Sequence, residues 1–396
     1  MLASAKSTEN APAPSIGFHA LTLATFFGAS AVPTPLYRIY QENFSLSPVV
    51  ITVIFAVYAF ALLAALLIAG SISDHLGRKP VIFSALLLEI LAMGLFVVAN
   101  GPGWLIAART VQGVATGIAG ASLGAALVDV DRAKGQIVNS IAPLCGMAVG
   151  AVGTSALIQY GPFPMHLTYA LLIIAFTLQA GGIWLTRETG GRRPGALGSL
   201  MPRVVIPPQA KRPLSLVTPI NIANWTLAGF YLSLVPSLVA STTGSRAPLT
   251  GGAVVTALMV SGAIAVYLRR GKTASANLGF GVSAKTLGIL TVVAGVHLAN
   301  VPLLLVGTLF TGAGFGTNFL GSIGTIMPLA KAEERAGLLA AFYVQSYLAF
   351  SLPAILAGFL AKSAGYGLTT DIYATAILLL MGIGIIAVRS GRRMMA

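Results

Sequence analysis

The chain has 396 residues, 56% of them hydrophobic and 9% charged, a share of apolar surface too large for a soluble protein of this length to hide in one core. Lipid must therefore be its solvent. The net charge of +14 would suit a nucleic-acid partner only if the basic residues gathered on one face, and they fall instead on alternate loops, which excludes that class.

Residues 1–15 are polar, contain Pro12 and Pro14, and include no short apolar region with a cleavage site, so they are expected to form a cytoplasmic tail rather than a removable signal. A helix needs about 20 apolar residues to cross ~30 Å of hydrocarbon. Twelve stretches qualify, beginning near residues 16, 48, 80, 104, 136, 166, 216, 250, 278, 301, 337 and 366. They group into an N-terminal six-helix bundle (16–186), a Gly-, Pro- and Arg-rich linker (187–213) that suits a mobile cytoplasmic connection, a C-terminal bundle (214–389) and a tail (390–396). Lys6, Arg78, Lys79, Arg132, Lys134, the linker's basic residues, Arg269, Arg270, Lys272, Lys331, Arg335 and Arg389 to Arg393 share one side; Arg38, Arg246 and Lys362 occupy the other. The positive-inside bias then puts both termini in the cytoplasm, with the bacterial inner membrane as the expected location.

In chain order, the first span offers Phe26 and Phe27 to an interior, and Pro33 and Pro35 loosen its outer end, either as a gate or as an ordinary helix end. The second span brings Tyr58 and is followed by the loop Gly70-Ser71-Ile72-Ser73-Asp74-His75-Leu76-Gly77-Arg78-Lys79. Glu89 lies in the third span and Arg109 in the fourth. An uncompensated arginine at mid-bilayer costs roughly 2.5 to 3.5 kcal/mol, so Arg109 needs a partner. Glu89 is therefore either a proton carrier or the fixed counter-charge of Arg109, which two long side chains are expected to bridge. Gly113, Gly117, Gly120 and Gly124 share one helix face, as do Gly146, Gly150 and Gly153 in the fifth span, where close helix packing is the expected use. Cys145 is the one cysteine, so no intramolecular disulfide is possible.

The second half repeats the first. Arg109, Gln112, Gly113 and Gly117 align with Thr308, Thr311, Gly312 and Gly316, and Asp131, Arg132 and Gly161 with Glu334, Arg335 and Gly365. Repeats of this kind place a solute site at the interface of two bundles. Gln112, Asn224, Trp225, Asn318, Tyr343, Gln345 and Tyr347 join Phe26 and Tyr58 as candidate cavity residues, an aromatic set with few polar handles that suits an amphipathic ligand. Lys285 is expected to snorkel toward the cytoplasm, and Asp371 to be solvated near the outer end of the last span. No Ser/His/Asp grouping, metal-ligand spacing or phosphate loop appears, so neither enzymatic chemistry nor a metal or other cofactor is expected.

The loop Gly70 to Lys79 resembles the loop signature of the major facilitator superfamily at every position, and Arg109-Thr110-Val111-Gln112-Gly113 is similar to that family's span-four motif. The resemblance implies an all-α fold of twelve transmembrane helices in two pseudo-symmetric bundles. It also implies a latch of Gly70, Asp74, Gly77, Arg78 and Lys79, in which Asp74 meets the start of span eleven near Gly337 and Arg78 pairs with Asp129. Gly146-Met147-Ala148-Val149-Gly150 carries a degenerate form of the motif of the drug-antiporter branches, lacking its proline. The expected activity is proton-coupled export of a small amphipathic compound by alternating access, with uptake of a sugar, organic acid or other metabolite as the rival. The expected partners are that solute, protons and lipid, with no nucleic acid, and the chain is expected to act as a monomer.

Overall fold

The computed structural model describes residues 16–245 and 247–393. The tail 1–15, Arg246 and residues 394–396 lie outside the described residues. Ten helices among those described are long and apolar enough to cross a membrane, and a further pair qualifies together as one bent crossing. The longest of the ten is two helices that meet at Gly365, whose φ of 78° and ψ of 169° are non-helical. Twelve crossings result, as the apolar stretches predict.

The first crossing is α1 (Ile16–Ala31) continued by α2 (Pro33–Phe44), and the second is α3 (Pro48–Ala69). A single turn, α4 (Ser73–Leu76), leads into α5 (Arg78–Val97), α6 (Pro102–Val130), α7 (Arg132–Tyr160) and α8 (Pro164–Gly182). The second bundle comprises α9 (Pro208–Ser233) bent by 64° into α10 (Val235–Thr243), then α11 (Pro248–Arg269), α12 (Ala274–His297), α13 (Val301–Ile326) and α14 (Arg335–Arg393), whose limbs 335–364 and 366–393 are the last two crossings. Helix α9 begins inside the segment expected to be linker. Pro208 is favourable at a helix start, and the basic first turns stand outside the apolar stretch that hydropathy detects.

Glycines let the helices close on one another. A Cβ on Gly146 or Gly150 would run into the backbone of Ala24 or Gly28, so α7 lies directly on α1; on Gly113 or Gly117 it would run into the backbone of α3 at Tyr58 and Leu62. Gly153 and Gly120 depart from the expected packing, since neither meets a close neighbour.

Both bundles break their leading helix at the same motif, which sequence inspection missed. Ser30-Ala31-Val32-Pro33 ends α1, and Ser233-Leu234-Val235-Pro236 ends α9. Each proline lacks the N–H that would satisfy the carbonyl four residues earlier. The two groups are Ala29 C=O, which also accepts from Val32 N at 3.3 Å, and Leu232 C=O, and each takes a side-chain donor. Gln112 Nε2 reaches Ala29 O at 3.1 Å, and Thr34 Oγ1 reaches Leu232 O at 2.8 Å.

The bundles touch at the face opposite the basic loops. There Thr256 Oγ1 donates to Ala148 O at 3.2 Å, Ser237 Oγ donates to Gln41 Oε1 at 3.1 Å, and the Phe55 and Phe350 rings lie 4.8 Å apart. Toward the basic face they separate.

Candidate functional site

The separation of the bundles leaves a cavity of about 1010 Å³. Leu23, Phe27, Thr116, Gly120 and Asn139 line it from the N-terminal bundle, and Leu339, Tyr343 and Tyr347 from the C-terminal one. Asp74 on one lip faces Ala336 and Gly337 on the other.

Two of the expected cavity residues, Tyr343 and Tyr347, form its wall, and Trp225 backs them with its ring 5.1 Å from that of Tyr347. The others sit elsewhere. Phe26 is fully buried against Phe176 at 5.2 Å, because one step along a helix turns a side chain by about 100°, and it is Phe27 that faces the opening. Tyr58 lies under the Arg109 guanidinium, with the ring centroid 4.5 Å away. Gln345 does not line the cavity, and Gln112, Asn224 and Asn318 lie in buried polar clusters within the bundles.

Arg109 and Glu89 share one such cluster without touching. Arg109 Nη1 donates to Ser30 O at 3.0 Å and to Gln112 Oε1 at 2.7 Å, while Nη2 donates to Tyr37 Oη at 2.9 Å. Gln112 Nε2 also donates to Glu89 Oε1 at 3.2 Å. The direct bridge expected between the two long side chains is replaced by a glutamine relay, whose amide offers an acceptor to the cation and a donor to the acid. Glu89 Oε2 has no protein partner.

The loop around α4 holds the expected latch residues. Gly70 caps α3 and lines the cavity, and Gly77 takes φ 95°, a conformation that favours glycine. Arg78 binds Asp129 Oδ2 through Nε at 3.0 Å, and Asp74 Oδ1 through Nη1 at 2.5 Å. Asp74 thus pairs within its own bundle, and its expected contact with the start of span eleven is replaced by the open lip. Glu188 is the member that motif reading missed. Its carboxylate accepts from the backbone N–H of Arg78 at 2.8 Å and of Lys79 at 3.1 Å, while Lys79 Nζ donates to the carbonyls of Trp184 and Thr186. A lone acid in an Arg-rich connection was the available signal. The connection also contacts both bundles: Arg193 N donates to His75 O at 3.0 Å, Ser71 Oγ to Ser199 O at 3.1 Å, and Val205 N to Gly337 O at 3.3 Å. It spans from one lip of the cavity to the other.

Lys285 departs furthest from expectation. Rather than snorkelling, it is wholly buried, hydrogen-bonded to Asn224 Oδ1 and 5.9 Å from the Phe315 ring centroid. Asp371 is not solvated alone, since His297 Nε2 lies 2.8 Å from its Oδ1. No group of three or more His, Cys, Asp or Glu able to hold a metal occurs among the described residues.

Two repeated bundles of apolar helices around a cavity sealed at one end define a polytopic membrane protein. A family model described as Major Facilitator Superfamily matches residues 19–294, well over half of the chain, and the chain belongs to that superfamily. It carries the superfamily's all-helical fold. Multidrug resistance protein MdtL of Shewanella sp. (strain ANA-3) is 30% identical over 140 residues, which cover 34% of this chain and 35% of that protein. The chain thus spans about a third of the length of that relative.

Proposed function

We propose that the chain is a proton-coupled exporter of a small amphipathic compound, working by alternating access. The observation that carries this reading is the cavity, which opens between Asp74 and Gly337 toward the basic face and ends at the other face, where Thr256 meets Ala148 and Ser237 meets Gln41. The basic face is taken as cytoplasmic on the positive-inside bias, which makes the present conformation inward-open. A wall of Phe27, Tyr343 and Tyr347 suits a ligand with an apolar body, and the name of the MdtL relative favours export over uptake.

In this reading Asp74, Arg78, Asp129 and the residues around them form the inner latch. Closing it moves Asp74 toward the start of α14, where unpaired helix N–H groups accept an anionic partner. Glu89 is the proton carrier. Its free Oε2 takes the proton, and Gln112 transmits the change to Arg109 and so to the break in α1.

Cells producing the protein should accumulate less of a lipophilic dye than cells lacking it, and dissipating the proton gradient should abolish the difference. Greater accumulation would reverse the direction proposed, and equal accumulation would refute export of the dye. Glu89→Gln should leave substrate binding intact and remove the pH dependence of transport; an unchanged pH profile takes Glu89 out of the coupling step.

A further inference from the structure

Counted from the first residues of their helices, Arg78 in α5 and Ala274 in α12, Glu89 and Lys285 occupy the same position. The two bundles thus hold a buried acid and a buried base at pseudo-equivalent sites. The acid belongs to a relay of partners, whereas the base does not. Lys285 brings three N–H donors and has one protein acceptor among the described residues, Asn224 Oδ1.

Its surroundings are rich in donors too. Asn224 Nδ2 is buried without a partner, and so are both amide atoms of Asn318, which is wholly enclosed. Asn318 faces Gly281, one helical turn from Lys285, and Lys285 itself packs on Gly314, one turn from Asn318. Lys285 of α12 meets Asn224 of α9, and Asn318 of α13 lies one turn along the same α12–α13 interface. A bilayer core offers nothing to such donors, so groups left open in this way mark a place for a ligand. The cluster does not itself line the cavity; Trp225, the chain neighbour of Asn224, packs ring against ring on Tyr347 of the cavity wall.

We propose that Lys285, Asn224 and Asn318 form a carboxylate-binding subsite, which receives the head group of an amphipathic monocarboxylate whose apolar body lies against Trp225 and Tyr347. One ammonium matches one negative charge, which selects a monoanion over a doubly charged phosphate, and the amide N–H groups supply the orientation. The subsite rests on the reading of the cavity as the substrate route and narrows its substrate class, but it does not depend on the direction of transport.

The test is equilibrium binding of 2-naphthoate and of its neutral counterpart 2-naphthamide to the purified full-length protein in detergent. Naphthoate should bind the wild type at least tenfold more tightly than naphthamide, and Lys285→Met should remove that preference while leaving naphthamide affinity unchanged. Should Lys285→Met fail to fold, Asn318→Ala deletes a group with no partner in the protein; it should leave thermal stability unchanged and weaken naphthoate alone severalfold. Equal affinities in the wild type, or a naphthoate preference undiminished in either variant, overturns the subsite. Dye export in cells is scored separately, so failure of the export reading leaves this measurement decisive and the reverse also holds.

Discussion

Arg109 is held by the carbonyl of Ser30, the amide oxygen of Gln112 and the hydroxyl of Tyr37, and it lies over the face of Tyr58. A planar fork makes three such bonds in fixed directions, whereas an ammonium is a compact charge that cannot also stack. Arg109→Lys should therefore lower the detergent melting temperature even though the charge is kept, and Tyr37→Phe should cost about 1.5 to 3 kcal/mol, the usual range for a hydrogen bond to a charged group. A lysine variant with undiminished melting temperature would show that only the charge matters. The need for partners around Arg109 was legible in the sequence, since a cation among apolar residues cannot stand alone. The relay was not, because depth along a helix places Glu89 and Arg109 near each other without saying which side chain comes between. Lys285 shows the same limit more sharply: sequence fixes its depth, and only the rotation of α12 decides whether it escapes toward water or points at Asn224.

At the scale of elements, the spans were legible because a run of apolar residues is a one-dimensional signal that lipid reads directly. Their edges were less so, as α9 shows by extending its first turns beyond the apolar stretch. The glycine faces pointed to close packing and left the partner unnamed; the structure gives α1 to Gly146 and Gly150, and α3 to Gly113 and Gly117. Gly150→Val should push α7 away from α1 and destabilise the protein by about 1 to 3 kcal/mol, the range for forcing extra atoms into a packed interface. Gly153→Val, on the same helix but against open space, should be near neutral. Thermal unfolding of the two variants side by side checks the contrast, and equal losses would refute the assigned contact.

For the whole molecule, the repeat was legible as pattern, while the opening toward the basic face was not, because apolar runs say nothing of how two bundles tilt against each other. The seal away from the basic face predicts its own test. In a Cys145→Ala background, cysteines at Ala148 and Thr256 should form a disulfide that stops transport, and a reductant should restore it. A third cysteine at Ala121, on the cavity wall, should stay reactive from the basic side while the lock is on. Continued turnover in the locked protein would mean that this seal never has to open.

Leu232 C=O, stripped of its helical donor by Pro236, is satisfied by Thr34 of the other bundle. If the bundles part at that face, as the proposed alternating access requires, the oxygen loses the Thr34 hydroxyl, and a water molecule must arrive to replace it. Parting and wetting are then a single event, and lowering water activity with an impermeant osmolyte should hold the molecule in its present shape.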